Sequence, residues 1–436
     1  MGGGKAQTGT MNTSAVPAIA TGSERTKARP SRVRYVGVDI ARLLAVAGMM
    51  AAHLVATNAM NPTVSAFEQG AGELATTLTA GIAAPLFAVL GGLSAVFASR
   101  RALAAGRTGA AIGGVALRGV ILILLGLALG YVVSPIVVVL VYYGVAMILA
   151  APFVAARSWL VGLVALVVGV AGGPLNALLR QSLGVVEEAG SPSYLSLVEQ
   201  PVETLRGVLV TGAYPAITWV VYLLVGMLVA RALISATSRK RLGKAALSLA
   251  GVGVAVAVAG TLVSNWALAN LATLGASVPE GLDPAQFATF VSGQQFGAPS
   301  SPDLWALLIA APHSGTPLDI ARTVGIALAV IGLLVFMFDA AGTRTSRVTE
   351  VFRAAGAAPL TIYTLHIVVT GLLYAPLMNN PEAVLAAGMP WWVSGVAAWG
   401  VQFAGVIVLG IILSATGKRG PLEALTSGIV RGLTRA

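Results

Sequence analysis

The stretch from residue 34 to residue 54 reads Arg34-Tyr35-Val36-Gly37-Val38-Asp39-Ile40-Ala41-Arg42-Leu43-Leu44-Ala45-Val46-Ala47-Gly48-Met49-Met50-Ala51-Ala52-His53-Leu54. It is long and apolar enough to cross ~30 Å of hydrocarbon as a helix. Yet it keeps an acid and a base near one end and a histidine near the other. Ionisable groups are expensive inside a bilayer, and those that persist there usually serve chemistry or transport. Arg42 and His53 are eleven residues apart, almost a whole number of helical turns, so they share one face at about 16 Å along the axis. Asp39 precedes Arg42 by three and lies close to that face. Small residues (Ala45, Gly48, Ala52) flank the stripe and permit close packing or a channel. The alternative is structural: Asp39 and Arg42 as an interfacial ion pair, and His53 as a boundary residue bonded to a neighbouring helix.

Working outward, the whole chain belongs in lipid. Its 436 residues are 57% hydrophobic and 10% charged, with mean hydropathy +0.86, where a soluble domain carries about a quarter charged residues. The apolar runs are continuous rather than alternating, which favours helices over a barrel. The expected fold is all-α, a polytopic membrane bundle of about ten helices. Spans fall near 37–58, 74–98, 117–133, 135–156, 159–179, 213–232, 246–270, 319–340, 359–378 and 391–414. Ser134-Pro135 reads either as a tight turn between two short spans or as a kink in one longer element.

Charge orients this layout. With the N-terminus inside, basic residues gather in the inner segments: Arg100, Arg101, Arg107 and Arg118, then Arg157, then Arg239 to Lys244, then Arg347 and Arg353. Arg180, Arg206 and Arg322 fall outside, and Arg42 lies within the first span. Acids such as Glu68, Glu73, Glu199, Glu203, Asp303 and Asp319 land outside. Both termini are therefore expected in the cytoplasm, in a multi-pass protein of the cell inner (plasma) membrane. Residues 1–31, with Lys5, Arg25, Lys27 and Arg29, read as a disordered basic tail. Residues 32–420 form the bundle, with long outer loops at 180–212 and 271–318, and 421–436 a cytoplasmic C-terminal tail. The amphipathic stretch from Pro284 to Val291 predicts a short helix at the outer face.

The net charge of +11 serves topology rather than nucleic-acid binding, since it sits between spans. There is no cysteine and there are only three histidines, which excludes thiolate metal sites and argues against a histidine-rich one. No metal is expected. His366, inside the ninth span about a third of the way in by residue count, is a second candidate for catalysis or substrate binding. Tyr363 sits one turn before it. His313, in Pro312-His313-Ser314-Gly315, reads as a solvated loop histidine that could alternatively meet a substrate. Tyr214 and Trp219 could line a sugar or lipid site, although a membrane-interface belt also explains such aromatics.

The pattern Arg34, Asp39, Arg42, an apolar run and His53 resembles the first helix of the transmembrane acyltransferase superfamily. That group includes heparan-alpha-glucosaminide N-acetyltransferase and bacterial envelope O-acyltransferases. The segment Ala84-Pro85-Leu86-Phe87-Ala88-Val89-Leu90-Gly91-Gly92-Leu93-Ser94 is similar to its second helix. Gly212 to Trp219, Pro359 to His366, and Gly420-Pro421-Leu422-Glu423 resemble a bacterial branch of poorly characterised membrane proteins. The resemblance implies acyl transfer from cytoplasmic acyl-CoA, acetyl-CoA above all, to an extracytoplasmic glycan, glycolipid or lipid. His53 would be the catalytic base or transient acyl carrier. Arg34, Arg42, Arg100 and Arg101 would meet the CoA phosphates, and Asp39 would orient Arg42. A proton-coupled transporter or lipid-handling permease using the same stripe is the competing reading. The absence of recurring polar positions between the two halves argues against a transporter built on inverted repeats. Membrane lipids are the expected surroundings, and the sequence leaves a homo-oligomer open.

Overall fold

The computed structural model describes residues 1–6, 34–59, 61, 63–185, 188, 190–341, 346–382, 384 and 388–434. The basic tail expected at 1–31 lies almost wholly outside the described residues. The chain divides into an N-terminal unit, Met1–Arg34, and a main unit, Tyr35–Ala436.

The main unit is a helical bundle with no strand among the described residues. It runs through α1 (Val36–Leu54), α2 (Ala66–Thr79), α3 (Ala83–Ala104), α4 (Thr108–Leu129), α5 (Leu140–Ala150) and α6 (Ser158–Leu183). Two short helices follow, α7 (Tyr194–Glu199) and α8 (Pro201–Arg206), before α9 (Ala216–Ser238) and α10 (Leu242–Ala269). A second long connection holds α11 (Pro284–Ser292) and α12 (Leu304–Leu307). The chain closes with α13 (Pro317–Val335), α14 (Arg347–Gly356), α15 (Pro359–Tyr374), α16 (Val396–Thr416) and α17 (Pro421–Thr434). Nine helical stretches among the described residues are long and apolar enough to span a membrane, and Leu140–Val154 is a shorter apolar one. The chain is a multi-pass membrane protein.

Element boundaries differ from the sequence reading in several places: the second span, read as 74–98, takes in the end of α2 and most of α3, and the fourth begins at Leu140. The third span begins at Thr108, not near 117, so Arg118 lies inside α4 rather than in a loop. Its Nη1 donates to Gly114 O of its own helix at 2.8 Å. The early turns of α4 are rich in Gly and Ala, which score weakly on hydropathy but suit membrane helix interfaces. Of the two readings of Ser134-Pro135 the structure has the turn, since the pair sits in the connection between α4 and α5.

Glycines set the closest crossings. A Cβ on Gly92 would stand 1.9 Å from the Leu223 carbonyl oxygen, and one on Gly226 would stand 1.9 Å from that of Val89. Each of α3 and α9 thus presses a glycine against the other's backbone, at the centre of the bundle. Gly356 does the same to the Asp39 carbonyl, which seats the end of α14 against α1.

Helix N-termini leave unpaired N–H groups that lipid cannot satisfy. Three carboxylates remote in sequence do so here. Asp339 accepts from Val36 N at 2.7 Å and Gly37 N at 2.9 Å, capping α1. Glu423, at the start of α17, accepts from Leu360 N at 2.7 Å, capping α15. Glu68 accepts from Val396 N at 3.1 Å, capping α16. These acids are accounted for by structure. The caps tie α1 to the end of α13, α15 to α17 and α16 to α2, and α1, α15 and α16 are the helices that carry the site.

Candidate functional site

Towards the C-terminal end of α1, Nδ1 of His53 lies 3.1 Å from Nε2 of His366 on α15. The rings are nearly parallel, 4° apart with centroids at 5.4 Å. The other nitrogen of His366, Nδ1, lies 2.7 Å from Oε1 of Gln402 on α16. Nε2 of Gln402 donates in turn to Thr370 Oγ1 at 3.2 Å. An amide oxygen only accepts. With the oxygen facing His366, Nδ1 of His366 carries the proton and its Nε2 is left to accept. His53 then donates from Nδ1, and its own Nε2 keeps a free lone pair. That is the tautomer a nucleophile or base requires, and the hydrogen bond on one ring nitrogen sets the state of the other.

The sequence singled out both histidines but placed His366 about a third of the way into its span. The structure sets it beside His53. Gly356 already packs on α1 at Asp39, so α15 starts inside the bundle and counting from Pro359 underestimates depth. Gln402 was missed. Its signal was available: it is a lone amide in the apolar helix Val396–Thr416.

The third histidine of the chain, His313, lies within electrostatic reach of His53. Gly81, at φ +66° in the turn between α2 and α3, packs on Pro312 and the His313 backbone. Gln295 N donates to Pro312 O at 2.8 Å, and Gly297 N donates to His313 O at 2.9 Å. The expectation of a solvated loop residue is therefore corrected. The long connection folds back over the helix ends and half-buries His313, enclosing its Nδ1; the desolvation lowers the pKa to about 4 and keeps the ring neutral at physiological pH. His313 also adopts a left-handed backbone, φ +61°, which is uncommon outside glycine.

Aromatic rings wall this region. Tyr214 stands edge-on to His313 at 5.4 Å and to Trp219 at 5.0 Å, and Trp219 meets Tyr222 at 5.5 Å. Arg180 ties the two long connections together. It donates to the carbonyls of Phe296 (2.9 Å), Val210 (3.0 Å) and Gly212 (2.9 Å), which fixes the approach to Tyr214. Tyr363 is not part of the wall. It is buried, and its hydroxyl accepts from Val139 N at 3.2 Å.

At the opposite end of α1, Arg42 Nη1 donates to Asp39 Oδ1 at 2.5 Å and Nη2 to Ser94 Oγ on α3 at 2.8 Å. Arg353 on α14, bonded to Glu350, brings Nη1 to 3.6 Å from Asp39 Oδ2. That nitrogen makes no hydrogen bond and retains donor capacity. Asp39 thus lies buried between two guanidiniums. Arg100 and Arg101 are exposed near the C-terminus of α3. Arg34 belongs to the N-terminal unit. Sequence reading found Asp39 and Arg42 but not Arg353, which lies on the short amphipathic helix α14. No group that could hold a metal ion occurs among the described residues.

The site is thus a cationic cluster and a histidine pair, joined by one helix. A family model described as heparan-alpha-glucosaminide N-acetyltransferase, catalytic, matches residues 34–264. The match takes in Asp39, Arg42, His53, Ser94, Tyr214 and Trp219, and it stops short of His313, Arg353, His366 and Gln402. No curated protein matches this chain. With more than half of its length matched, this chain belongs to the heparan-alpha-glucosaminide N-acetyltransferase catalytic family, a family of membrane acetyltransferases.

Proposed function

We propose that this protein takes an acetyl or other short acyl group from cytoplasmic acyl-CoA and delivers it to an extracytoplasmic envelope glycan, glycolipid or lipid. His53 is the catalytic residue. The observation that carries this reading is the hydrogen-bonded series His53–His366–Gln402, whose first member shares α1 with Asp39 and Arg42, about 16 Å from Arg42 along the axis.

The arginine end receives the donor. CoA phosphates need cationic, multidentate partners. Arg42 and Arg353 flank Asp39 there, and Arg100 and Arg101 are exposed near the C-terminus of α3. Both termini and this end face the cytoplasm, following the distribution of basic residues. The pantetheine arm is thin and of comparable length to α1, so it can lie along the helix and present its thioester to His53. There the free lone pair on Nε2 attacks the acyl carbon, or accepts the acceptor's proton. His366 stabilises the cation that forms on the His53 ring, and Gln402 holds His366 in place.

The test is direct. Protein purified in detergent and given radiolabelled acetyl-CoA should release CoA and pass label to itself or to an acceptor. Proton-driven uptake of a small molecule into proteoliposomes, with no CoA binding and no label transfer, would favour the permease reading instead.

A further inference from the structure

Beneath the aromatic wall lies a small enclosed cavity lined by Thr218, Trp219, Tyr222, His313 and Asp319 among others, with room for about one water molecule. Two polar atoms at its edge have no hydrogen-bond partner: His313 Nδ1 and Asp319 Oδ1. Asp319 is only 2% exposed. Its Oδ2 accepts from Gly315 N at 3.3 Å, and Arg322 Nη2 stands 3.8 Å from Oδ1, too far for a hydrogen bond. Buried polar atoms are seldom left unpaired, because each unmet bond costs about 1–3 kcal/mol. An imidazole nitrogen and a carboxyl oxygen around a water-sized space can accept hydrogen bonds from a hydroxyl, an amine or a water.

We propose that His313, supported by Asp319, is a second catalytic base that deprotonates the acceptor while His53 carries the acyl group. The inference rests on the acetyl-transfer reading and divides its labour. In the first half, Nε2 of His53 bonds to the acetyl carbon, the C–S bond breaks and CoA leaves as thiolate. In the second, an acceptor oxygen or nitrogen attacks that carbon and its proton passes to His313. The bond from the carbon to His53 Nε2 breaks, returning the electron pair to the ring. His313 then releases its proton to solvent, balancing the one the thiolate takes up. A space of this size takes a single hydroxyl or amine group at the tip of a larger acceptor, such as one on a sugar, beside Trp219.

The experiment separates the two halves without needing the natural acceptor. Wild type and His313→Gln are given acetyl-CoA with water, then with hydroxylamine, as acceptors. Hydroxylamine is uncharged at neutral pH and attacks without a base, whereas water needs one. His313→Gln should still release one equivalent of CoA in the first turnover. Its steady hydrolysis should fall by about 10²-fold or more, and hydroxylamine should restore turnover to near the wild-type rate. Asp319→Asn should show the same pattern more weakly. Wild-type hydrolysis in His313→Gln would overturn the proposal, as would equal loss with both acceptors. Failure of the wild type itself to release CoA would overturn the acetyl-transfer reading instead.

Discussion

Acetyl transfer is expected to disappear in His53→Ala, falling by at least about 10³-fold, within the range seen when an acid–base or nucleophilic group is removed. The substitution removes the one ring nitrogen that the relay leaves free. No neighbour can replace it: His366 is committed to Gln402 through Nδ1, and its Nε2 faces the space that the His53 ring has left. The fold should survive, because His53 is only partly buried and makes no glycine-tight backbone contact. Truncation leaves Nε2 of His366 without its donor, at about 1–3 kcal/mol. A slightly lower melting temperature, an unchanged elution volume and unchanged CoA binding should therefore accompany the lost activity. Label transfer from acetyl-CoA and binding of CoA, measured on the same preparations, check this.

Asp39→Ala should act at the other end and on a different observable. The carboxylate is buried between Arg42 and Arg353. Removing one member of a buried charge group leaves its partners uncompensated, at about 3–5 kcal/mol. Thermal unfolding in detergent should register this as a large fall in stability. Donor affinity should drop as well, since Arg42 loses the contact that aims it. The double variant Asp39→Ala/Arg353→Ala should be more stable than the sum of its single changes implies, because the second substitution removes one of the stranded charges. Strict additivity would mean that Asp39 and Arg353 do not interact.

The polar face of α1 was legible from spacing alone, because helical periodicity is a local property. So were most of the spans and the short helix from Pro284, since composition and turn residues decide them. What escaped reading depends on contacts between distant residues. His53 and His366 stand 313 positions apart, and nothing local says that they touch. His313 looked like a loop residue because it is one; only the return of the 271–318 connection over the helix ends half-buries it. Asp339 and Glu423 lie 303 and 63 positions from the N–H groups they cap on α1 and α15, so nothing local announces those caps. Arg118 was misplaced because small residues depress hydropathy where helices pack closely.

The central claim is vectorial: an acyl group enters at the arginines and leaves at the histidines. Protein reconstituted in one orientation into sealed vesicles tests it, with acetyl-CoA confined to the side bearing the termini and hydroxylamine trapped on the other. The account predicts acetylated hydroxylamine in the trapped compartment and free CoA in the donor compartment, with none of either product from His53→Ala. Product formed only when donor and acceptor share one side would contradict it.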